Sequence, residues 1–454
     1  MDKLSTLNLE PDPMHDVDLE GGYFRKTSRA DLERAFEQFF ASNSSHLCVF
    51  FHGGLVSWQD GLMAANKLID GYTEAGAYPF FFIWHSDFLT ALREHLSTYN
   101  DNPAFAKAVN LCVSTVARKI GATTVALRAK RSKPIDAKPG TSTDLRGLAK
   151  YAAGYDRLWS RAEGLQLSVT KTELDRFENA LSKIGRTHGG KLGLFSPRRI
   201  RGKDNPLARV IRRLNSKHDH GLYTTVIEEI LIALGVAENV GIPLWGQMKQ
   251  DIDSAFTSNI KAGGAAFISL LQGAWRKRPK MRATLIGHSA GAIYVQRFIE
   301  ALDEAAGKQL QQKVEVITLA AAVSFGRMAE GLGSLQRRIS GLRMFGLSDK
   351  REGGYWEVPF IYNKSLLYIV SSLCEDDPDA DRPIVGMARY WTSKPPYNEP
   401  IINSIATYID RRTVWSPTTT SAGPGFQCDA KEHGGFPEDP ETKASVCFIL
   451  RKGF

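Results

Sequence analysis

The stretch Met281-Arg-Ala-Thr-Leu-Ile-Gly-His-Ser289-Ala-Gly291 decides the fold of this chain, because a short apolar run ends there in Gly-X-Ser-X-Gly. Residues 282 to 286 are rich in strand formers, and apolar residues recur at helical spacing from the serine to Ala306. A strand, a tight turn and a helix therefore follow one another. Gly287 and Gly291 let the backbone pass close in such a turn, and the Ser289 hydroxyl projects at the end of the sheet.

The pentapeptide alone is weak, because a chain with 40 Gly can contain it by chance. The alternative to a nucleophile elbow is a structural Gly-rich turn. The strand before the serine and the helix after it favour the elbow, in which His288 and Ala290 flank the nucleophile.

Two apolar runs upstream have the length of buried parallel strands. They are His46-Leu-Cys-Val-Phe-Phe51 and Tyr78-Pro-Phe-Phe-Phe-Ile-Trp84, and a helix is predicted between them from about Gly61 to Ala75. A further helix is predicted from Arg29 to Phe40, capped by Ser28. Strands that alternate with helices predict a parallel α/β sheet.

The chain changes character from about residue 89 to residue 262, where mainly helices are predicted. The sheet pattern returns with a helix from Ala265 to Lys277 and the strand before Ser289. We therefore divide the chain into an N-terminal part of the core at 1–88, a helical and basic cap or lid insertion at 89–262, and a C-terminal part of the core at 263–454. Insertions at the carboxyl ends of strands commonly cover active sites.

A serine that transfers acyl groups needs a base and a carboxylate that orients the base. Of the ten His in the chain, only His433 lies beyond His288, which makes it the predicted base. We predict Asp349 as the acid, because it directly follows the predicted strand from Leu342 to Leu347. The acidic group of Glu375, Asp376 and Asp377 is the alternative.

The sequence His52-Gly53-Gly54-Leu55 follows the first buried strand and predicts an oxyanion hole. Its glycines expose backbone N–H groups, and the N–H of Ala290 completes the set. We expect Gly54 to donate first, with Leu55 or Gly53 as the second donor. His52 is expected to hold this loop by hydrogen bonding.

These motifs resemble the α/β-hydrolase superfamily in its serine esterase and lipase branch. The resemblance covers Ser45 to Trp84 and Ala265 to Leu450, and it rests on the His-Gly-Gly turn, the elbow, Asp349 and His433. It implies a doubly wound, mostly parallel sheet and a two-step acyl-enzyme mechanism without metal or cofactor. The chain departs from the His-Gly-Gly-Gly form at Leu55, which leaves the second oxyanion donor open.

Composition bounds the class of protein. The chain has 454 residues, 43% of them hydrophobic, and the five cysteines are scattered, so we expect buried thiols rather than disulfides or a metal cluster. Neither a secretory signal nor an apolar run long enough for a membrane span is visible. These features predict a cytoplasmic protein and leave leaderless export open.

The net charge of +9 is local, since residues 182–217 contain eleven basic residues and one acid. The eleven are Lys183, Arg186, Lys191, Arg198, Arg199, Arg201, Lys203, Arg209, Arg212, Arg213 and Lys217. This segment could contact an anionic membrane surface, or it could be a solvated basic loop. The absence of interleaved aromatic residues argues against nucleic acid.

The leading functional prediction is a serine hydrolase that cleaves carboxylic esters, with lipid esters as a narrower hypothesis. A serine peptidase or thioesterase of the same fold is the alternative within the class. A non-catalytic scaffold that binds a partner through the basic insertion is the alternative outside it.

Overall fold

The computed structural model describes twelve stretches of the chain. They are residues 10–54, 57–85, 88–100, 102–128, 144–162, 164–187, 202–306, 311–354, 361–375, 381–392, 394–419 and 421–454.

Eight strands in these stretches form one α/β sheet. They are β1 (Asp16–Glu20), β2 (Tyr23–Phe24), β3 (His46–Phe51), β4 (Tyr78–Trp84), β5 (Arg282–His288), β6 (Val314–Leu319), β7 (Ile339–Leu347) and β8 (Thr413–Ser416). The order across the sheet is β2-β1-β4-β3-β5-β6-β7-β8. All neighbouring pairs are parallel except the short β1 and β2 pair.

Helices connect the strands. The first group is α1 (Arg29–Ala41), α2 (Trp58–Glu74), α3 (Phe88–Ser97), α4 (Pro103–Arg128), α5 (Leu145–Trp159), α6 (Lys171–Thr187), α7 (Pro206–Ser216), α8 (Leu222–Ala233) and α9 (Ile242–Ser254). The second group is α10 (Gly263–Lys277), α11 (Gly291–Ala306), α12 (Phe325–Glu330), α13 (Leu332–Arg338), α14 (Leu366–Ile369), α15 (Pro400–Ile409) and α16 (Pro440–Lys452).

The sheet has an apolar core on each face. Successive residues of a strand point to opposite faces, so Val49 packs in the core that includes residues of α1, α10 and α11, whereas Phe50 packs in the core that includes α2 and α16. Both central strands β3 and β4 are buried along their whole length. The prediction of a parallel α/β sheet with buried central strands is confirmed.

The described part of the segment from 89 to 262 is mainly helical, and Ala262 at its end forms an isolated antiparallel bridge with Tyr23. Its apolar side chains, such as Val116 of α4 and Ile227 of α8, belong to the same continuous core as Val49. The structure thus packs this helical segment onto one face of the sheet.

The structure decides three elements that the sequence pattern misses, mispredicts or leaves open. The strand β1 is not predicted, because its sequence Asp-Val-Asp-Leu-Glu is acidic. Apolar spacing predicts one helix around Phe325 to Ile339, but the structure has two, α12 and α13, which meet at Gly331. The apolar run from Ser365 to Cys374 is compatible with helix or strand in the sequence and is helical in the structure.

The five cysteines are free thiols, as the sequence predicts, and four of them are buried. Of the helices that the structure describes, none combines the length and apolar character needed to cross a membrane.

Candidate active site

Ser289 lies in the turn between the end of β5 and the start of α11. Its φ of 53° is in the left-handed region, which is unfavourable for a residue with a side chain. Three backbone hydrogen bonds hold it there: its N–H donates to Leu319 O at 2.8 Å, and its carbonyl accepts from Ala292 and Ala322, each at 3.0 Å. The turn is therefore fixed by bonds to the neighbouring strand and to its own helix.

The glycines on either side of Ser289 are required by close backbone contacts. A Cβ on Gly291 would lie 2.1 Å from the carbonyl oxygen of Phe51, at the end of β3. A Cβ on Gly287 would lie 2.6 Å from the carbonyl oxygen of Gly291. Both distances are shorter than any van der Waals contact, so only glycine fits at either position.

His433 lies beside this serine. The Ser289 hydroxyl donates to its Nε2 at 2.8 Å, and both residues are only 1% exposed. His288 holds the backbone there, since its Nε2 donates to the carbonyl oxygen of His433 at 2.9 Å. Burial, together with the nearby His288, lowers the pKa of His433 to about 3. The imidazole is therefore neutral near pH 7, and its Nε2 can accept a proton.

The other ring nitrogen of His433 must carry the proton when Nε2 accepts. Within the described stretches, His433 Nδ1 is buried and has no hydrogen-bond partner. A carboxylate at this position would hold the ring and stabilise its protonated form. The described residues thus provide a serine and a histidine in contact, without an orienting acid.

The structure does not bring Asp349, the predicted acid, into contact with His433. Its carboxylate accepts instead from the hydroxyl of Tyr368. Burial by itself would raise the pKa of Asp349, but Lys364, the Tyr368 hydrogen bond and Arg389 outweigh it and lower this pKa.

The turn after β7 accounts for the position of Asp349. The carbonyl of Ser348 accepts from the N–H groups of Arg351 and Glu352, so the chain reverses immediately after the strand. It is Arg351 that reaches the loop before His433, donating to the carbonyl oxygens of Asp429 at 2.6 Å and Ala430 at 2.8 Å. Arg351, and not Asp349, thus contacts the loop before His433.

Among the described residues, the alternative acids do not provide a hydrogen-bond acceptor for His433 Nδ1. Glu375 accepts from Trp245 Nε1 at 2.8 Å and lies 3.5 Å from Lys249 Nζ. Asp376 and Asp377 lie outside the described residues.

The predicted oxyanion loop borders the serine. A Cβ on Gly53 would lie 3.2 Å from Ser289 Cβ, and a Cβ on Gly54 would lie 3.0 Å from Ala290 Cβ. The N–H of Ala290, at the start of α11, donates to no backbone or side-chain acceptor in the described stretches. Leu55 lies outside the described residues. The structure therefore brings Gly53, Gly54 and Ala290 together around Ser289.

His52 holds this loop, as predicted. Its Nδ1 donates to the carbonyl oxygen of Gly53 at 2.8 Å, and its Nε2 accepts from the N–H of Trp84 at 3.0 Å. Burial lowers its pKa to about 4, so the ring stays neutral and keeps both bonds.

Two contacts at the site escaped prediction. The sequence predicts His288 only as a residue of the turn, yet its ring anchors the backbone of His433, and its position next to the serine at the end of a strand is the signal for this role. Met248 of α9 lies against Gly54, where an added Cβ would be 2.4 Å from its Sδ. No sequence signal marks Met248.

A cavity of about 200 Å³ borders the site on the face that α2 covers. His52, His288 and Gly434 line it together with the apolar Phe50 and Leu68. The cavity therefore lies beside His52, which holds the oxyanion loop, and beside His288, which holds the backbone of His433.

The basic segment at 182–217 is not one exposed surface. Arg209 and Arg213 are buried and form ion pairs with Glu229 of α8, and Arg213 also pairs with Glu228 at 2.9 Å. Lys203 and Arg212 are exposed. Lys191, Arg198, Arg199 and Arg201 lie outside the described residues.

Among the residues that the structure describes, no three or more His, Cys, Asp or Glu side chains are grouped so that they could hold a metal ion. Comparison with known proteins found no matching family model, no matching curated protein and no matching solved structure.

Proposed function

We propose that this chain is a serine hydrolase that cleaves carboxylic esters, with Ser289 as the nucleophile and His433 as the general base. The observation that carries the proposal is the 2.8 Å hydrogen bond between Ser289 Oγ and His433 Nε2, at a left-handed turn between a strand and a helix. A buried serine with an ordinary structural role does not need a strained backbone or a neutral imidazole as its acceptor.

The reaction proceeds in two steps. The Ser289 oxygen bonds to the acyl carbon while His433 Nε2 takes the hydroxyl proton, and collapse of the tetrahedral intermediate releases the alcohol, which leaves with that proton. Water then attacks the acyl-serine and gives one proton to His433, and His433 passes this proton to the Ser289 oxygen as the carboxylic acid leaves.

The backbone around the serine favours this chemistry. The N–H of Ala290 and the backbone of Gly53 and Gly54 lie beside Ser289, where the negative charge of the intermediate would form. Each such donor is typically worth about 3 kcal/mol in the transition state. That charge also offsets the cost of a protonated His433 in a buried site.

The finer fold assignment belongs to the same proposal. The parallel sheet, the serine after β5 and the histidine after β8 support an α/β-hydrolase arrangement, and the helices of 89–262 would act as its cap. The position of Met248 in α9 supports the assignment of this segment as a cap, because its Sδ lies against Gly54 in the oxyanion loop.

The test is labelling by a fluorophosphonate, followed by hydrolysis of esters graded in acyl length and of matched thioesters and amides. Ser289→Ala should abolish labelling and reduce kcat by on the order of a millionfold. Ser372→Ala is the control, since this buried hydroxyl donates to the carbonyl of Tyr368 and not to a histidine. Labelling that persists in Ser289→Ala would refute the proposal.

A variant of Asp349 provides a second test of the site. Loss of a triad carboxylate typically costs about 10⁴-fold in kcat. Because Asp349 does not contact His433, we expect Asp349→Asn to retain kcat within about tenfold, and a loss of the triad size would contradict the site described above.

A further inference from the structure

A cavity of about 620 Å³ lies away from Ser289 and His433, which are not among its lining residues. Its walls come from α5, from the start of α8 and from the segments that follow β7. This volume is within the usual range for sites that hold small molecules. Asp349, just after β7, places the cavity at the edge of the sheet where the parallel strands end, two strands from the one that carries Ser289.

Three cations line this cavity, and among the described residues none of them forms a salt bridge with a carboxylate, although Lys364 and Arg389 lie close enough to Asp349 to lower its pKa. Lys217 Nζ lies 4.5 Å from the centre of the Trp159 ring, and Lys364 Nζ lies 4.7 Å from that of Tyr368. Arg389 donates to the carbonyl of Asp219 at 2.7 Å. In the described part of the chain, no carboxylate oxygen lies within 4.0 Å of any of the three cationic groups.

The carboxylates that line the same cavity already accept hydrogen bonds from the protein. Asp156 accepts from the N–H of Leu222 at 2.7 Å, and Asp219 accepts from that of Gly221 at 3.0 Å. Asp349 accepts from the hydroxyl of Tyr368. The acids are thus used to fix the start of α8 and the segment after β7.

Neutral groups add further donors. The side-chain oxygen of Asn363 accepts from the Thr224 hydroxyl at 2.8 Å, which leaves the Asn363 amide nitrogen to donate. The ammonium groups of Lys217 and Lys364 each have three N–H bonds, and a ring face does not saturate them. The cavity is therefore lined by three cations and three carboxylates, and the N–H bonds of Lys217, Lys364 and Asn363 remain able to donate to a group rich in acceptors.

We propose that this cavity binds a small polar molecule through an oxyanion, a phosphate or a carboxylate, held by Lys217, Lys364 and Arg389. Asn363 and Thr224 supply hydrogen bonds to the remainder of the molecule, and Trp159 and Tyr397 provide its apolar walls. The proposal is independent of ester hydrolysis, because no step of that reaction uses these residues.

The experiment is isothermal titration of the full chain carrying Ser289→Ala, so that turnover adds no heat. The probes are inorganic phosphate, glycerol phosphate and succinate. We expect saturable binding of at least one probe with a Kd of about 1 mM or tighter. If only the phosphate probes bind, the group is a phosphate, and if succinate also binds, the site accepts oxyanions in general.

Variants decide whether the binding occurs in this cavity. Lys364→Met and Lys217→Met should each weaken binding about tenfold, because each removes a charge-assisted hydrogen bond. Lys364→Arg, which keeps the charge, and Lys203→Met, which alters an exposed lysine, should retain it. Melting temperatures check that each variant is folded. Equal affinity in all variants, or no saturable binding of any probe, would overturn the proposal.

Discussion

Two residues that directly follow strands are held in a strained backbone conformation. Ser289 after β5 and Ala320 after β6 both have left-handed backbone, with φ of 53° and 47°. Their N–H groups donate to Leu319 and Phe345 on the next strand, each at 2.8 Å. Each such residue costs about 1–3 kcal/mol of strain, and the cross-strand bonds hold the strained geometry. These bonds therefore fix the backbone position of Ser289.

The steric limit at this turn gives a prediction at residue scale. Gly291→Ala should lower the free energy of unfolding by about 1–3 kcal/mol, because the new Cβ would lie 2.1 Å from the carbonyl oxygen of Phe51. Fluorophosphonate labelling of Ser289 should slow in parallel. Urea unfolding and the labelling rate measure the two effects.

The matched control is Gly434→Ala. This glycine follows His433, its φ is not in the left-handed region, and an added Cβ would have no neighbour within 4 Å. We expect both its stability and its labelling rate to stay near those of the parent chain. An equal effect of the two substitutions would mean that proximity to the site, and not steric contact, is responsible.

The sequence predicts the residues of this site better than it predicts their partners. The identity of the small residues around Ser289 and the presence of a single histidine beyond His288 can be read directly from the sequence. The sequence also showed that Asp349 follows a strand, but the side-chain direction after a strand depends on the turn that follows. In this chain the Ser348 turn directs Asp349 to Tyr368 and Arg351 to the His433 loop.

At the scale of elements, α7 and α8 are joined by buried charges. Glu229 of α8 accepts from both Arg209 and Arg213 of α7, and the four-residue spacing of the arginines puts them on one face of the helix. Burial would raise the pKa of the adjacent Glu228, but His220 and Arg213 outweigh it and lower this pKa to about 2. Two arginines of the basic segment thus belong to the interior.

This pairing predicts that Glu229→Gln destabilises the chain by about 3 kcal/mol, because it leaves two buried guanidinium groups with less compensating charge. Chemical unfolding measures the change. Glu33→Gln is the control, since Glu33 pairs with Arg29 at 3.0 Å on the exposed face of α1. It should cost about 0.3 kcal/mol. Similar costs for both variants would contradict the role assigned to the buried pair.

Apolar patterning predicts the central strands because they are buried on both faces. It fails at β1, where Asp18 is buried but accepts from Trp58 Nε1 at 2.6 Å and from the N–H of Lys26 at 2.9 Å. These partners come from other segments, so a local pattern of acidic residues does not show them. The same limit applies to Arg209 and Arg213, whose acidic partners lie on the next helix.

For the whole molecule, buried titratable groups govern the response to acid. Burial lowers the pKa of His46 to about 4, of His52 to about 4 and of His433 to about 3. An unfolded chain protonates these rings near pH 6.5, so acid favours unfolding through them. Burial raises the pKa of Asp16 to about 7 and of Asp156 to about 6, and these two groups act in the opposite direction.

The three histidines outweigh the two carboxyl groups, so we predict that the free energy of unfolding falls from about pH 7 to about pH 4. Below that range Glu228, with its lowered pKa, adds to the loss. Urea unfolding at several pH values measures the trend. In His46→Gln the slope should decrease by up to about 1.4 kcal/mol per pH unit. A stability that rises with acid over this range would contradict the prediction.

The position of β3 between β4 and β5 affects how the protein is made. His46 at the start of β3 bonds Thr284 of β5 at 2.8 Å, although the two residues are 238 positions apart in the chain. At about 5–20 residues per second, a ribosome needs roughly 10–50 s to reach β5 after it has made β3. During that interval β3 can pair with β4 on only one side. A chain whose synthesis stalls within the helical segment would therefore present the other edge of an apolar strand to its surroundings, which makes it a substrate for chaperones.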